Sequence, residues 1–261
     1  MCAEAVMATP EYEQLLDNLR QMGMSSVVPV LDSHLKRAAQ HSMSYQDFLT
    51  GLVREALSVR DQRRRERRLS ACRFPFVKRL DDFAWEAQPT LNRAEVERLF
   101  TLHFVDAHDN VAFLGPPGLG KTMLAVALGV AAVEAGYTVR FTQLDEWAAD
   151  AQAADAVGTL PAFLNEWLRP QLLILDEVGH HSLGPAASHT FCQLLSHRYT
   201  RGSVVLTSNR GLDSWKQFLG DEVLAAAVLD RFLHHATIFS QSGESFRLQE
   251  AKRRRGRSSR A

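Results

Sequence analysis

Leu15, Leu16, Leu19 and Met22 recur at helical spacing and stop at Gly23, which predicts a first helix. A second helical stretch is expected from about Val28 to Gln40, carrying Leu31 and Leu35. Ser44-Tyr-Gln-Asp47 reads as a capping box with Asp in place of Glu. Phe48, Leu49, Leu52, Val53, Ala56 and Leu57 carry that third helix onward into an arginine run. Residues 1–70 are therefore expected to form a small helical domain whose core is too small to be very stable alone. Residues 71–91 break the periodicity with Pro75, Pro89 and the rings of Phe74, Phe76, Phe83 and Trp85, and read as a connector. Interleaved with Arg73, Lys78 and Arg79, those rings could stack on nucleic acid. The reading preferred here is that they pin the connector onto the next domain, because so many exposed aromatics would be costly.

From Asn92, a helix start supported by Glu95, the pattern changes. Short apolar strands are expected at Asn110–Leu114, Thr138–Thr142, Gln171–Leu175, Ser203–Thr207 and Ala236–Phe239, separated by helical stretches. Alternation of this kind implies an α/β fold, with right-handed βαβ units and a mostly parallel sheet flanked by helices. This domain is expected over residues 92–249, and residues 250–261 read as a basic, disordered tail.

At 261 residues the chain has room for one α/β domain and a small appendage. No apolar run is long enough to span a membrane, so a membrane partner is not expected. Cys2, Cys72 and Cys192 are too isolated for a disulfide framework or zinc ribbon and fit a reducing, cytoplasmic setting. The formal net charge of zero conceals an asymmetry. Seven arginines against two acids lie between Arg60 and Arg73, and six basic residues with no acid follow Glu250, leaving 17 basic and 28 acidic residues elsewhere. Two basic blocks on an acidic body point to a polyanion, and nucleic acid is the abundant one. Arg63, Arg64, Arg65, Arg67 and Arg68 are the favoured DNA contacts; for the tail, solvated charge and DNA binding stand level.

The chemistry concentrates in three places. Gly115-Pro116-Pro117-Gly118-Leu119-Gly120-Lys121-Thr122 matches G-x-x-x-x-G-K-[ST] in full, with a strand before it and a helix, Thr122–Glu134, after it. Its glycines let backbone N–H groups wrap phosphates at a helix N-terminus; Lys121 would reach the β- and γ-phosphates of ATP and Thr122 would hold Mg²⁺. Fifty-five residues beyond Lys121, Leu172-Leu-Ile-Leu175 runs into Asp176-Glu177, a buried strand delivering carboxylates to its edge. Asp176 is expected to hold Mg²⁺ from one shell further out and Glu177 to polarise the attacking water. The next strand ends in Ser208-Asn209, where Asn209 would orient water and sense hydrolysis; an ordinary turn residue is the plainer alternative. Arg231, late in a helix over Glu222–His234, could serve as an arginine finger, although the residues alone favour a surface salt bridge with Asp230. His180-His181 and His234-His235 are not expected to bind metal, since adjacent histidines in a helix or strand diverge and no spaced ligand accompanies them.

Taken together, GPPGLGKT, LLILDEVG, LTSN and LDRFLHHA resemble the IstB-like branch of the AAA+ ATPases, close to DnaC-type helicase loaders. The stretches LLDNLRQMGM, SYQDFLTGLVREA, RRRERRLSACRFP and GESFRL extend the resemblance to roughly residues 11–249. It implies a P-loop AAA+ core and an ATP- and Mg²⁺-dependent ATPase that binds double-stranded DNA. Such a helper would assemble as a homo-oligomer on target DNA and recruit or stimulate a cognate transposase, with hydrolysis resetting the complex. It also implies that Arg231 is a trans-acting arginine finger. A replicative helicase loader and a non-hydrolysing, ATP-switched DNA scaffold are the competing readings. Two features depart from the family pattern: His180-His181 replace an aromatic–aliphatic pair, and the basic tail is longer than required. Only 22 residues follow Phe239, so a full helical lid is not expected, and Arg247 is the remaining candidate for a lid-type sensor arginine.

Overall fold

In the computed structural model, which describes residues 9–243 and 245–246, the chain divides into two units at Arg68/Leu69. The first begins where Thr9 accepts the Tyr12 N–H and Pro10 opens α1 (Pro10–Gln21), a position that suits proline because its missing N–H would be unpaired anyway. Helices α2 (Val28–His41) and α3 (Tyr45–Ala71) follow. Val27, Val30, Leu31, Leu52 and Ala56 form its core, with Leu16, Leu19 and Phe48 packed around them. At the start of α3 the capping box forms only by half: Ser44 Oγ accepts the Asp47 N–H, but its hydroxyl also donates to the Asp47 carboxylate. The arginine run is helical, as its sequence predicts, and Arg60, Arg63, Arg64, Arg67 and Arg68 share one face by their spacing.

The second unit contains α4 (Arg93–Leu99), α5 (His103–Asp106), β1 (Asn110–Leu114), α6 (Lys121–Ala135), β2 (Val139–Gln143), α7 (Leu144–Ala156) and α8 (Leu160–Leu168). It continues with β3 (Leu172–Asp176), α9 (Pro185–Arg198), β4 (Ser203–Ser208), α10 (Trp215–Leu219), α11 (Glu222–His234) and β5 (Ala236–Ser240). The five strands form one parallel sheet in the order β2-β3-β4-β1-β5. Strand β1 has the expected bounds, β2 and β3 are shifted one residue later, and β4 and β5 end one residue later.

Strands β1, β3 and β4 are buried along their whole length because both faces of the sheet are covered. Successive residues alternate between two cores. Leu173, Leu175, Val204 and Leu206 join Trp147, Phe191 and Trp215 on one face. Leu172, Ile174, Val205 and Phe113 join Leu124, Leu128 and Val96 on the other. Arg198 crosses the base of the sheet: its buried guanidinium donates to the carbonyls of Trp167, Pro170, Gln171 and Ser203, and burial lowers its pKa to about 10.

The connector behaves mainly as a pinned segment. Phe83 is buried and stacks edge-on with Trp85, and Phe74 packs edge-on against Phe141, while Phe76 stays exposed. Cys72 and Cys192 are buried, and burial pushes their thiol pKa values up to about 11. The basic tail and Arg247 lie outside the described residues.

Candidate nucleotide site

The sheet order decides the site. Strand β4 lies between β1 and β3, with Leu114 opposite Ser208 and Leu175 opposite Leu206. Three loops therefore leave one carboxyl edge side by side: the glycine loop after β1, Asn209 after β4, and Asp176-Glu177 at the end of β3.

Gly115, Gly118 and Gly120 all have positive φ, and the loop closes directly into α6 with Gly120 as its N-cap. At Gly115 a Cβ would lie 2.2 Å from the Gln241 carbonyl oxygen, so only glycine fits. The first-turn N–H groups of a helix have no partner within it, which makes this end an anion site. Lys121 is buried, and its Nζ donates to the carbonyls of Gly115 and Pro116 at 2.6 Å each. A cation folded back on its own loop is placed to exchange those carbonyls for phosphate oxygens.

Thr122 donates its hydroxyl to Asp176 Oδ1 at 2.8 Å, and Thr207 donates to the same oxygen. Asp176 is 2% exposed, and burial raises its pKa above the usual 3.8; the two hydroxyls pull it back down, and the Glu177 charge pushes it up. Glu177 adopts φ 58°, a left-handed conformation that costs a non-glycine residue energy. Its N–H donates to Thr207 Oγ1 at 3.0 Å, and the Val178 N–H donates to the Thr207 carbonyl at 2.8 Å. Thr207 thus ties both carboxylate residues to β4. Sequence reading placed it in a strand and gave it no role; its only signal is its position one residue before the Ser208-Asn209 edge.

These groups surround a cavity of about 260 Å³, lined on one side by Pro117, Gly118, Leu119, Gly120, Lys121 and Thr122 and closed by Glu177, Thr207 and Asn209. The remaining wall comes from the connector residues Phe76, Asp82, Phe83, Ala84, Ala87 and Gln88, together with Met123 on α6 and Phe246. Gly115, Pro116 and Asp176 stand behind the lining, holding Lys121 and Thr122.

The other expected residues lie elsewhere. Arg231 is exposed, outside the cavity lining, and donates to Ser196 Oγ on α9 at 2.8 Å. Among the described residues it makes no ion pair with Asp230, which corrects the salt bridge that adjacency suggested; neighbours in a helix point in different directions. Arg63, Arg64, Arg65 and Arg67 are exposed on α3 and Arg68 is half-buried. His180 and His181 lie in the loop after β3, in neither helix nor strand, with ring centroids 4.3 Å apart; the rings of His234, which ends α11, and His235 are as close. With Asp145, His180 and His181 bring three donor atoms within 4.8 Å of one another, an association that pattern reading excluded on the assumption of regular structure.

A parallel sheet with one strand inserted between the glycine-loop strand and the carboxylate strand is a P-loop fold of the type seen in AAA+ proteins. Residues 17–254 match the family described as "IstB-like ATP binding protein", and the chain belongs to that family. It is 42% identical over 243 residues to "Insertion sequence IS21 putative ATP-binding protein" of Pseudomonas aeruginosa, spanning 93% of this chain and 91% of that one. It is 37% identical over 215 residues to the corresponding IS5376 protein of Geobacillus stearothermophilus, spanning 82% and 86%. The fold resembles AMPPCP-bound DnaA from Aquifex aeolicus (TM-score 0.54, 21% identity, 67% of this chain and 54% of that one). It also resembles DnaI (TM-score 0.54, 19% identity, 68% and 94%). No helix among the described residues is long and apolar enough to cross a membrane.

Proposed function

We propose that this chain is an ATP-hydrolysing helper of transposition that assembles on double-stranded DNA and engages a cognate transposase. The observation that carries this reading is the gathering of Lys121, Thr122, Glu177 and Asn209 around one cavity in a chain related to insertion-sequence proteins. The glycine loop and the start of α6 bind the phosphates, with Lys121 released from its own carbonyls to meet them. Thr122 and Asp176 present only oxygen donors, which suits Mg²⁺ arriving with the nucleotide and neutralising phosphate charge. Glu177 takes the proton of the attacking water, Asn209 orients that water, and Thr207 holds the Glu177 backbone in place. Arg231, exposed and outside its own cavity, supplies the arginine finger to the site of a neighbouring copy in this reading, and the active form is then an oligomer. The arginine face of α3 meets DNA phosphates independently of sequence.

The test is sedimentation on random-sequence duplex with ATP, ADP or no nucleotide, across a salt series. Large complexes that require ATP and weaken steeply with salt are expected. Lys121→Ala should abolish nucleotide binding, whereas Glu177→Gln should bind ATP and accumulate the assembled state. DNA binding indifferent to nucleotide, or normal turnover by Glu177→Gln, would refute the reading.

A further inference from the structure

The turn after β3 presents two histidines that the nucleotide chemistry does not use. Its backbone is fixed at both ends. Val178 is buried, its N–H donates to the Thr207 carbonyl, and its own carbonyl accepts from Ser208 Oγ at 2.6 Å. At the far end the Leu183 N–H donates to the Phe218 carbonyl at 3.0 Å. Between these ties stand His180 and His181, their rings edge-on. The third group, Asp145, belongs to the first turn of α7, which the buried side chains of Leu144 and Trp147 hold in place. His181 Nδ1 and Asp145 Oδ2 are 2.6 Å apart, and a ring nitrogen of His180 completes three donor atoms within 4.8 Å of one another. The His181–Asp145 hydrogen bond explains two of these groups and leaves the third. Among the described residues no hydrogen bond holds the His180 ring, so its nitrogens are open to a ligand.

We infer that Asp145, His180 and His181 bind a divalent transition metal of the zinc type. Two imidazoles and a carboxylate suit Zn²⁺ and Co²⁺, whereas Mg²⁺ and Ca²⁺ take oxygen ligands. In a tetrahedral site with ligand bonds of about 2.0–2.1 Å, donor atoms stand roughly 3.3 Å apart. The separations present, from 2.6 Å to at most 4.8 Å, bracket that value. The side chains of His181 and Asp145 are 68% and 42% exposed, so they can turn onto an ion without disturbing the core. The ion enters between His181 and the Asp145 carboxylate, His180 supplies the third ligand, and water takes the fourth position. Helix α7 adds Glu146, Asp150 and Asp155 and no basic residue, so the local field draws a cation. His234 and His235 are equally close but lack this convergence: His234 Nδ1 is engaged by the Tyr199 hydroxyl at 2.8 Å, and His235 Nδ1 lies 3.5 Å from Asp109 Oδ1. The bound ion clips α7 to the turn that follows Glu177 and uses no group of the nucleotide site, so the inference stands apart from the ATP reading.

The experiment titrates the metal-free, full-length chain with Zn²⁺ in the absence of nucleotide, by competition with a chromophoric chelator. The visible absorption of the Co²⁺ form is recorded beside it. One Zn²⁺ per chain is expected, with a Co²⁺ spectrum of fewer than six ligands. Removing a group that only supports a metal ligand costs about 10–100-fold in affinity, so loss of a direct ligand should cost about a hundredfold or more. That loss is expected for Asp145→Asn, His180→Asn and His181→Asn, each taken singly. The chain carrying both His234→Asn and His235→Asn should bind as the wild type does. At Zn²⁺ about a hundredfold above its dissociation constant, the wild type should melt about 5–10 °C higher, and the three single variants should not. His180 and His181 are exposed and Asp145 half-buried, and the Co²⁺ spectrum of the wild type reads the inference even where a variant folds poorly. Equal zinc affinity in the wild type and His180→Asn, or a Co²⁺ spectrum of the hydrated ion, overturns the site. Loss of binding in the His234→Asn and His235→Asn chain overturns it equally, by placing the metal at the other pair.

Discussion

Thr207→Val tests how the two carboxylate residues are held. Thr207 is 1% exposed, and valine is nearly its isostere, so the substitution removes a hydroxyl without opening a cavity. Two interactions disappear together: the bond donated to Asp176 and the bond accepted from the Glu177 N–H. A hydrogen bond to a charged acceptor contributes about 1.5–3 kcal/mol, and an orphaned backbone N–H costs about 1–3 kcal/mol. Partial relaxation toward the cavity reduces the sum, and we expect about 3 kcal/mol. In a unit of this size that lowers the melting temperature by roughly 6–12 °C. Loss of the tie should also let Glu177 leave its φ of 58°, so turnover should fall by about tenfold or more while KM for ATP stays within about threefold. Thr207→Ser, which keeps the hydroxyl and loses a methyl, should cost about 1 kcal/mol and retain turnover. In a double-mutant cycle with Asp176→Asn, assayed by thermal melts, the two sites should couple by at least about 1 kcal/mol. Equal loss in the valine and serine variants, or no coupling, would show that packing and not the hydroxyl matters.

Burial holds the Asp176 pKa above its unfolded value of 3.8, so the stability linked to this group is complete below that value and is lost as pH rises through the folded pKa. Asp176→Asn should flatten that part of the melting-temperature profile of the nucleotide-free protein while abolishing Mg²⁺-dependent turnover; a profile parallel to wild type would count against it. Gly115→Ala puts a methyl 2.2 Å from the Gln241 carbonyl at φ 139°, and should destabilise the second unit by about 3 kcal/mol or more and abolish ATP binding. Thermal melts with and without ATP would show it, and near-wild-type stability would mean the loop shifts freely. Replacing Arg63, Arg64 and Arg67 with Gln should reduce the slope of log affinity for duplex against log salt by about 0.9 per lost phosphate contact, equally for all sequences. An unchanged slope would place the DNA contact elsewhere.

Much of this protein is written in short-range order. The glycine loop is legible because its φ values demand glycine locally, and α6 follows at once. The strands are legible because a sheet covered on both faces turns Leu172–Leu175 and Val204–Leu206 into unbroken apolar runs. What could not be read depends on residues far apart in the chain. The insertion of β4 between β1 and β3 sets Thr207 against Asp176, a pairing made by sheet order and not by spacing. Packing of Phe83 and Leu91 into the core carries Gln88 to the cavity, where no periodicity would have sent it. The same holds for Arg231, drawn to Ser196 by the packing of α11 on α9, and for His180 and His181, which the fold sets beside Asp145 of α7. Local backbone preference and burial periodicity are properties of a segment and survive in its sequence. The partners of a buried polar group are settled only when distant segments compete for the same space, and that competition is won in the folded chain.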